Sequence, residues 1–317
     1  MEREVVLEET DSIAVTVTDV AVDDRGFFYV LDGMNHRVVV FEPQGHRRGT
    51  FGTLGEGPAE LKSPGGVLVS RAGEVLVGDT GNSRISVWDT SGVFLRTAPC
   101  RRGVGRIRWL GATQELIATR SSGGQTSHLL MVVYDLSGTV VRSLGESPAE
   151  VFELRRKIGA PISGSAYGVA PEGEVPLCHA GVYHIARYSA EGALSGHLAA
   201  PPGSGFVAPS APPPAFSSQS PQEWAGWWTA IGRLVALTDV VVVQMWAEAK
   251  RGVTASRSYL VDVLRRDGKP LWTSIPTDET IVDRLGPSSL LTAFYTGEDK
   301  PFSQQVRLRI RSWRRTP

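Results

Sequence analysis

Two triplets of polar residues recur at the same spacing: Asp32, Asn35 and Arg37, then Asp79, Asn82 and Arg84. Asn35 and Asn82 are the only asparagines in the chain. Asp accepts backbone N–H bonds in a tight turn, Asn tolerates a left-handed turn conformation, and Arg pairs with Asp across a hairpin. That chemistry holds a turn together; arranged around a channel, the same groups would form a polar ring facing a ligand. At the equivalent place further along, His179 stands where Asp stood and His184 where Arg stood. Flanking one turn, the two imidazoles are expected to face each other, where they could bind a divalent metal or act as acid and base. The plain alternative is a pair of structural histidines. Their spacing is no established ligand pattern and no third ligand can be named, so no cofactor is expected beyond a divalent metal at this pair. His36, His46, His128 and His197 are scattered.

These residues must be positioned by repeated short strands. Phe28–Gly45 matches Val75–Gly92 at an offset of 47 without a gap. Each copy reads as a strand, a turn built on Asp and Asn, a second strand and a turn at Gly. A strand precedes each copy and one follows, which makes four-stranded units. A third copy ends in Val132–Gly138, and a fourth, Val175–Gly192, aligns with the second at an offset of 100. A fifth is longer, and a sixth stops one strand short. The missing strand is available at the other terminus, Glu4-Val-Val-Leu-Glu8.

Four-stranded units of this length describe propeller blades. The expected fold is therefore all-β: a six-bladed β-propeller of antiparallel four-stranded blades, with the sixth closed by the N-terminal strand. An unstitched propeller would leave two open edges, and open edges aggregate. Blades are expected near residues 14–52, 60–99, 105–145, 162–200, 224–276 and 279–311, the last with strand 4–9, all in one domain of 317 residues. An open solenoid is less consistent, because it needs polar end caps.

The pattern Gly-Glu-Gly-Pro…Pro-Gly-Gly-Val, then Asp…Asn…Arg-Ile-x-Val-Trp-Asp…Gly-x-Phe-Leu-Arg, resembles the NHL repeat of six-bladed β-propellers. The C-terminal stretches Asp283–Leu291 and Val306–Ile310 resemble the last blade of bacterial six-bladed propeller proteins, mostly exported and of unassigned function. The resemblance implies a ligand- or protein-binding module. It also implies a ligand face carrying the turns between second and third strands and the connections between blades. The channel-face candidates are then Asp32, Arg37, Asp79, Arg84, His179 and His184. Relatives include lyases, lactonases and esterase-like enzymes, so the alternative is a lyase or hydrolase, metal-dependent or not, sited at the channel near His179 and His184. Lactonase-like calcium sites use asparagines, and both asparagines here are claimed by turns. Amidating-lyase-like sites need a histidine-rich zinc centre, and only His179 and His184 form a pair.

Composition narrows the partners. Lys plus Arg and Asp plus Glu number 33 each, so formal net charge is zero. A neutral chain lacks the footprint of a nucleic-acid binder, and the alternating Arg307, Arg309 and Arg311 read as one solvated strand face. No apolar run approaches the ~18 residues a membrane span needs. The expected partner is a small molecule, peptide or protein, and the expected state is a monomer. Cys100 and Cys178 form no disulfide framework. The start of the chain is not a signal peptide, so the protein is cytoplasmic or has lost an export signal; the resemblance favours an extracytoplasmic site. Two long connections, Gly145–Ser163 with a short helical turn at Glu153–Lys157 and the proline-rich Ala199–Glu223, are expected on the ligand face. Trp224, Trp227 and Trp228, which follow, are expected in the core rather than on a ligand platform.

Overall fold

A computed structural model describes residues 2–8, 15–100, 104–111, 114–119, 129–146, 149, 153, 165–179, 181–208, 230–247, 258–296 and 305–312. The Glu153–Lys157 turn (apart from Glu153), most of the proline-rich connection and the three tryptophans of 224–228 lie outside the described residues.

The fold is a six-bladed β-propeller made of four-stranded antiparallel sheets. Blade 1 is β2 (Val17–Val22), β3 (Phe28–Asp32), β4 (Arg37–Phe41) and β5 (Arg47–Phe51). Blade 2 is β6 (Gly66–Val69), β7 (Glu74–Asp79), β8 (Arg84–Asp89) and β9 (Phe94–Pro99). Blade 3 is β10 (Ile107–Trp109), β11 (Leu116–Thr119), β12 (Leu129–Tyr134) and β13 (Val140–Glu146). Blade 4 is β14 (Ser165–Tyr167), β15 (Val175–His179), β16 (Val182–Tyr188) and β17 (Leu194–Ala199). Blade 5 is β18 (Ala230–Ala236), β19 (Val240–Ala247), β20 (Ser258–Arg265) and β21 (Pro270–Thr277). Blade 6 is β22 (Thr280–Arg284), β23 (Ser289–Thr296) and β24 (Gln305–Ser312), completed at its outer edge by β1 (Glu2–Val6). The N-terminal strand therefore closes the last blade, with Glu4 opposite Arg309.

The chain groups into two compact units. One spans residues 1–127, 131–144 and 281–317; the other spans 128–130 and 145–280. In the first, blades 6, 1, 2 and 3 pack face to face through continuous apolar layers. Phe28, Val30 and Phe41 pack with Leu291 and Leu308, Tyr29 and Leu31 with Val75 and Trp88, and Ile85 and Val87 with Ile107 and Tyr134. In the second, Ile185 and Leu198 of blade 4 pack on Val241 and Met245 of blade 5. A middle strand buried on both faces has no reason to alternate, and β3 is buried at every position. Outermost strands face water and do alternate, as β5 and β9 show.

The turns explain much of the glycine. In five blades the hairpin between the third and fourth strands closes with the same pair of bonds, as in Gly92 N–H to the Asp89 carbonyl and Asp89 N–H to the Val93 carbonyl. Gly92 sits at φ +91°, in the left-handed region that glycine enters without steric cost. In blades 2 and 3 the turn carboxylates, Asp89 and Asp135, also accept from Ser91 and Ser137, and these hydroxyls lead the effects that hold both carboxyls below their usual range.

Candidate functional site

Asp32 and Asp79 end the second strands of blades 1 and 2 and are fully buried. In blade 1, Asp32 Oδ2 accepts from Asn35 Nδ2 at 2.8 Å and Arg37 Nε at 3.0 Å, while Oδ1 takes the Thr16 N–H at 3.2 Å. In blade 2, Asp79 Oδ2 accepts from Asn82 Nδ2 and Arg84 Nε, both at 2.8 Å, and Oδ1 takes the Lys62 N–H at 2.7 Å. Arg84 then reaches back with Nη1 and Nη2 to the carbonyls of Glu56 (3.1 Å), Gly57 (2.6 Å) and Glu60 (2.8 Å). Asn82 adds a bond to the Gly55 carbonyl at 3.0 Å. Each triplet thus ties its hairpin turn to the segment that leads into its own blade. The left-handed residues are His36 (φ 56°) and Ser83 (φ 50°), one place beyond the asparagines. The expectation that asparagine supplies the left-handed turn is corrected: its amide bonds the buried carboxylate instead.

Blade 4 is built differently. His179 is buried, and its Nδ1 accepts the Gly181 N–H at 3.3 Å. Asp32 pairs with Arg37 and Asp79 with Arg84, but a register shift at Cys178/His179 pairs His179 with Val182. The hairpin is tighter, so His184 does not stand opposite His179. It sits on β16 opposite Ala199 of β17, and its Nε2 lies 2.7 Å from Nδ1 of His197, one of the histidines that looked scattered.

A cluster not anticipated from sequence lies on the innermost strands of blades 6, 1, 2 and 3. Arg108 of β10 grips Asp19 of β2 with both terminal nitrogens, Nη1 to Oδ2 at 2.8 Å and Nη2 to Oδ1 at 2.7 Å. Its Nε meets Asp283 of β22. Asp19 Oδ2 also takes the Val67 N–H of β6 at 3.0 Å. Arg106 donates to the Val282 carbonyl and lies 3.7 Å from Asp19 Oδ1. Asp19 is fully buried and Arg108 nearly so. Among the described residues two cations and two carboxylates balance, as burial requires, and the bidentate fork is the strongest pairing available to arginine. The only local sign in the sequence is a charge inside an otherwise apolar strand; the 89-residue separation of the partners leaves no spacing to read.

The face carrying the second-to-third-strand turns presents two apolar side chains. Met34, in the turn after Asp32, is 75% exposed, and Leu54, in the connection into blade 2, is 62% exposed. Turn and connection touch: the Ser63 N–H donates to His36 Nδ1 at 3.1 Å, and a β-carbon on Gly33 would lie 3.3 Å from the Pro64 carbonyl oxygen. At the other end of the same blades, a cleft of about 250 Å³ opens among Asp23, Asp24, Arg25, Ser70, Arg71 and Thr90. Among the described residues, no group of three or more His, Cys, Asp or Glu is placed to hold a metal ion.

The family model for the NHL repeat matches residues 17–41, the stretch from β2 through the Asp32 clamp to the end of β4. This chain is a six-bladed β-propeller with an NHL repeat in its first blade. Solved structures similar to this propeller include a DUF4221-family member from Bacteroides vulgatus, at TM-score 0.69 and 11% identity, covering 98% of this chain and 96% of that one. A Bacteroides fragilis protein, provisionally named as exported, has TM-score 0.60 and 12% identity over 99% of this chain and 95% of that one. A catalytically inactive virginiamycin B lyase from Staphylococcus aureus with quinupristin has TM-score 0.52 and 10% identity over 92% and 78%. At these identities the likeness is one of fold. No curated protein matches this sequence. No helix among its described residues is long and apolar enough to cross a membrane.

Proposed function

We propose that this NHL propeller is a binding module whose partner is a protein or peptide seated on the turn-and-connection face of blades 1 and 2. The observation that carries this is the exposure of Met34 and Leu54, the two most exposed large apolar side chains among the described residues, on backbone already tied down by the Asp32 and Asp79 clamps. A mobile loop could turn such side chains inward; a clamped one holds them in water, where covering them is favourable. Pre-ordered backbone also lowers the entropic cost of association. Lys62 and Glu56, ion-paired on the same connection, supply a polar rim. The name of the Bacteroides fragilis protein supports an extracytoplasmic site of action.

A photo-crosslinking residue at Met34 tests the reading in cells of the source. One discrete adduct is expected from position 34, lost when Leu54→Asp is added and absent with the crosslinker at Arg71 on the opposite face. Equal labelling from both positions would overturn it.

A second reading, a lyase or hydrolase, is favoured by the carboxylates and guanidinium groups of Asp19, Arg108 and Asp283 on the innermost strands, and by the fold shared with a lyase. Turnover that is lost in Asp283→Asn while the melting temperature is kept would select it. In that case a substrate would take the place assigned here to a macromolecular partner.

A further inference from the structure

His184 and His197 sit on adjacent strands of blade 4, with Nε2 of one 2.7 Å from Nδ1 of the other. The ring centroids are 4.6 Å apart and the planes 68° from parallel, so the rings meet edge to face rather than stacked. A contact of this kind places one proton between two nitrogen lone pairs directed at a common point. A metal ion that takes the proton's place uses the same two nearby nitrogens, with their lone pairs turned to converge on it. Nitrogens held at ~2.0–2.1 Å from a metal are ~2.9 Å apart when they subtend a right angle, and ~3.4 Å at the tetrahedral angle. The observed separation is a few tenths of an ångström short of the right-angle bite, and because the metal sits off the N–N line, each ring must turn to aim its nitrogen at it.

The ladder fixes the pair before any ion arrives. Ile185 pairs with Leu198 between the two histidines, and the residues directly opposite them are Ala199 and Ala186. Methyl groups at these positions leave room for water ligands. His197 lies on the outermost strand and is exposed, while His184 is half-buried. The open coordination positions therefore face solvent. Imidazole nitrogen suits copper, nickel and zinc, and a right-angle pair with water oxygens suits Cu²⁺ and Ni²⁺ best.

We propose that His184 and His197 form a two-histidine site for a divalent transition ion of this group, completed by water. The site is built from blade 4 alone, and it stands whether or not the face bearing Met34 and Leu54 binds a partner. Nδ1 of His197 and Nε2 of His184 are the ligating atoms, and binding displaces the proton they share.

Titration of chelator-treated full-length protein with Cu²⁺, followed by electron paramagnetic resonance, tests the proposal. One equivalent bound with two nitrogen ligands is expected. His184→Ala and His197→Ala should each weaken uptake at least tenfold, and His46→Ala, an exposed histidine elsewhere, should leave it unchanged. His197 is exposed at a sheet edge, so its alanine variant provides the test even if His184→Ala does not fold. Uptake that survives in His197→Ala, or a spectrum without two nitrogens in the parent, overturns the proposal.

Discussion

A β-carbon on Gly45 would lie 2.0 Å from the carbonyl oxygen of Val6. Gly45 belongs to the last turn of blade 1 and sits at φ +96°, while Val6 ends the strand that completes blade 6. The Glu8 N–H bonds the Gly45 carbonyl at 2.9 Å, and Arg3 reaches the Pro43 carbonyl at 2.6 Å. The closing strand is thus stitched to blade 6 through its ladder and to blade 1 through this turn. Gly45→Ala combines a positive φ with a backbone clash and should cost at least about 2 kcal/mol. Removal of residues 1–8 should cost more. Thermal or denaturant melts measure both; a Gly45→Ala protein as stable as the parent would sink this account of closure.

The Asp79 clamp should behave as a buried charge pair. Asp79→Ala leaves the Arg84 guanidinium, only 15% exposed, without its carboxylate, and should destabilise by about 3–5 kcal/mol. Asp79→Asn keeps the shape and should cost less. Hydrogen exchange should report early opening of residues 52–64 in both, because Arg84 and Lys62 N–H hold that segment. Unchanged protection there would remove the clamp's role in ordering the connection.

Asp19 and Arg108 should be strongly coupled. Arg108→Met takes the bidentate partner from buried Asp19 and should cost about 3–5 kcal/mol, whereas Asp19→Asn with Arg108→Met removes both charges and should recover part of that. A double-mutant cycle should return a coupling of about 1–3 kcal/mol. Additive effects would contradict a shared buried network.

Glu4 carries the acid dependence of the closing strand. Hydrogen bonds from Arg307, at 2.6 Å, and then from Arg309, at 2.9 Å, hold its carboxyl below the ordinary value of 4.5. A carboxyl held low in the fold stabilises it above the ordinary value and loses that contribution as pH falls through the depressed one. Parent and Glu4→Gln should therefore differ in melting temperature at pH 7 and converge as pH falls from the ordinary value through the depressed one. A gap that stays constant with pH would mean that the strand is held without this charge.

Cys100 and Cys178 are both buried, and burial pushes each thiol up to about 12. The thiolate is the reactive form. Native protein at pH 8 should react with a disulfide reagent at a rate set by unfolding, and both thiols should react at once in denaturant. Fast labelling of either in the native state would place it outside the apolar layers.

Much of the architecture is legible in the sequence because it is local. A strand, its turn and the next strand lie within some twenty residues, so Asp79, Asn82 and Arg84 carry their own geometry, and the offset of 47 repeats it. The four-stranded count and the lone missing strand then imply closure by Glu4–Glu8, since an unpaired edge is unfavourable. Local reading failed where register changed. Asp and Arg stand five residues apart in blades 1 and 2 and pair, yet His179 and His184 at the same spacing do not, because the hairpin in blade 4 shifts register at Cys178/His179. The two-residue periodicity that makes strands recognisable also means a small shift re-aims every side chain beyond it.

What the sequence determined by itself is the set of elements: the strands, their turns and the need for a shared sixth blade. Strand and turn formation follow from chemistry between near neighbours. What only the tertiary structure decided is which distant side chains meet: Asp19 with Arg108 and Asp283, Val6 with Gly45. Those contacts depend on how separate hairpins and blades are placed against one another. Burial of the apolar faces sets that placement, and the apolar pattern is much the same in every blade. The repeat therefore identifies a propeller without saying which of its charges converge.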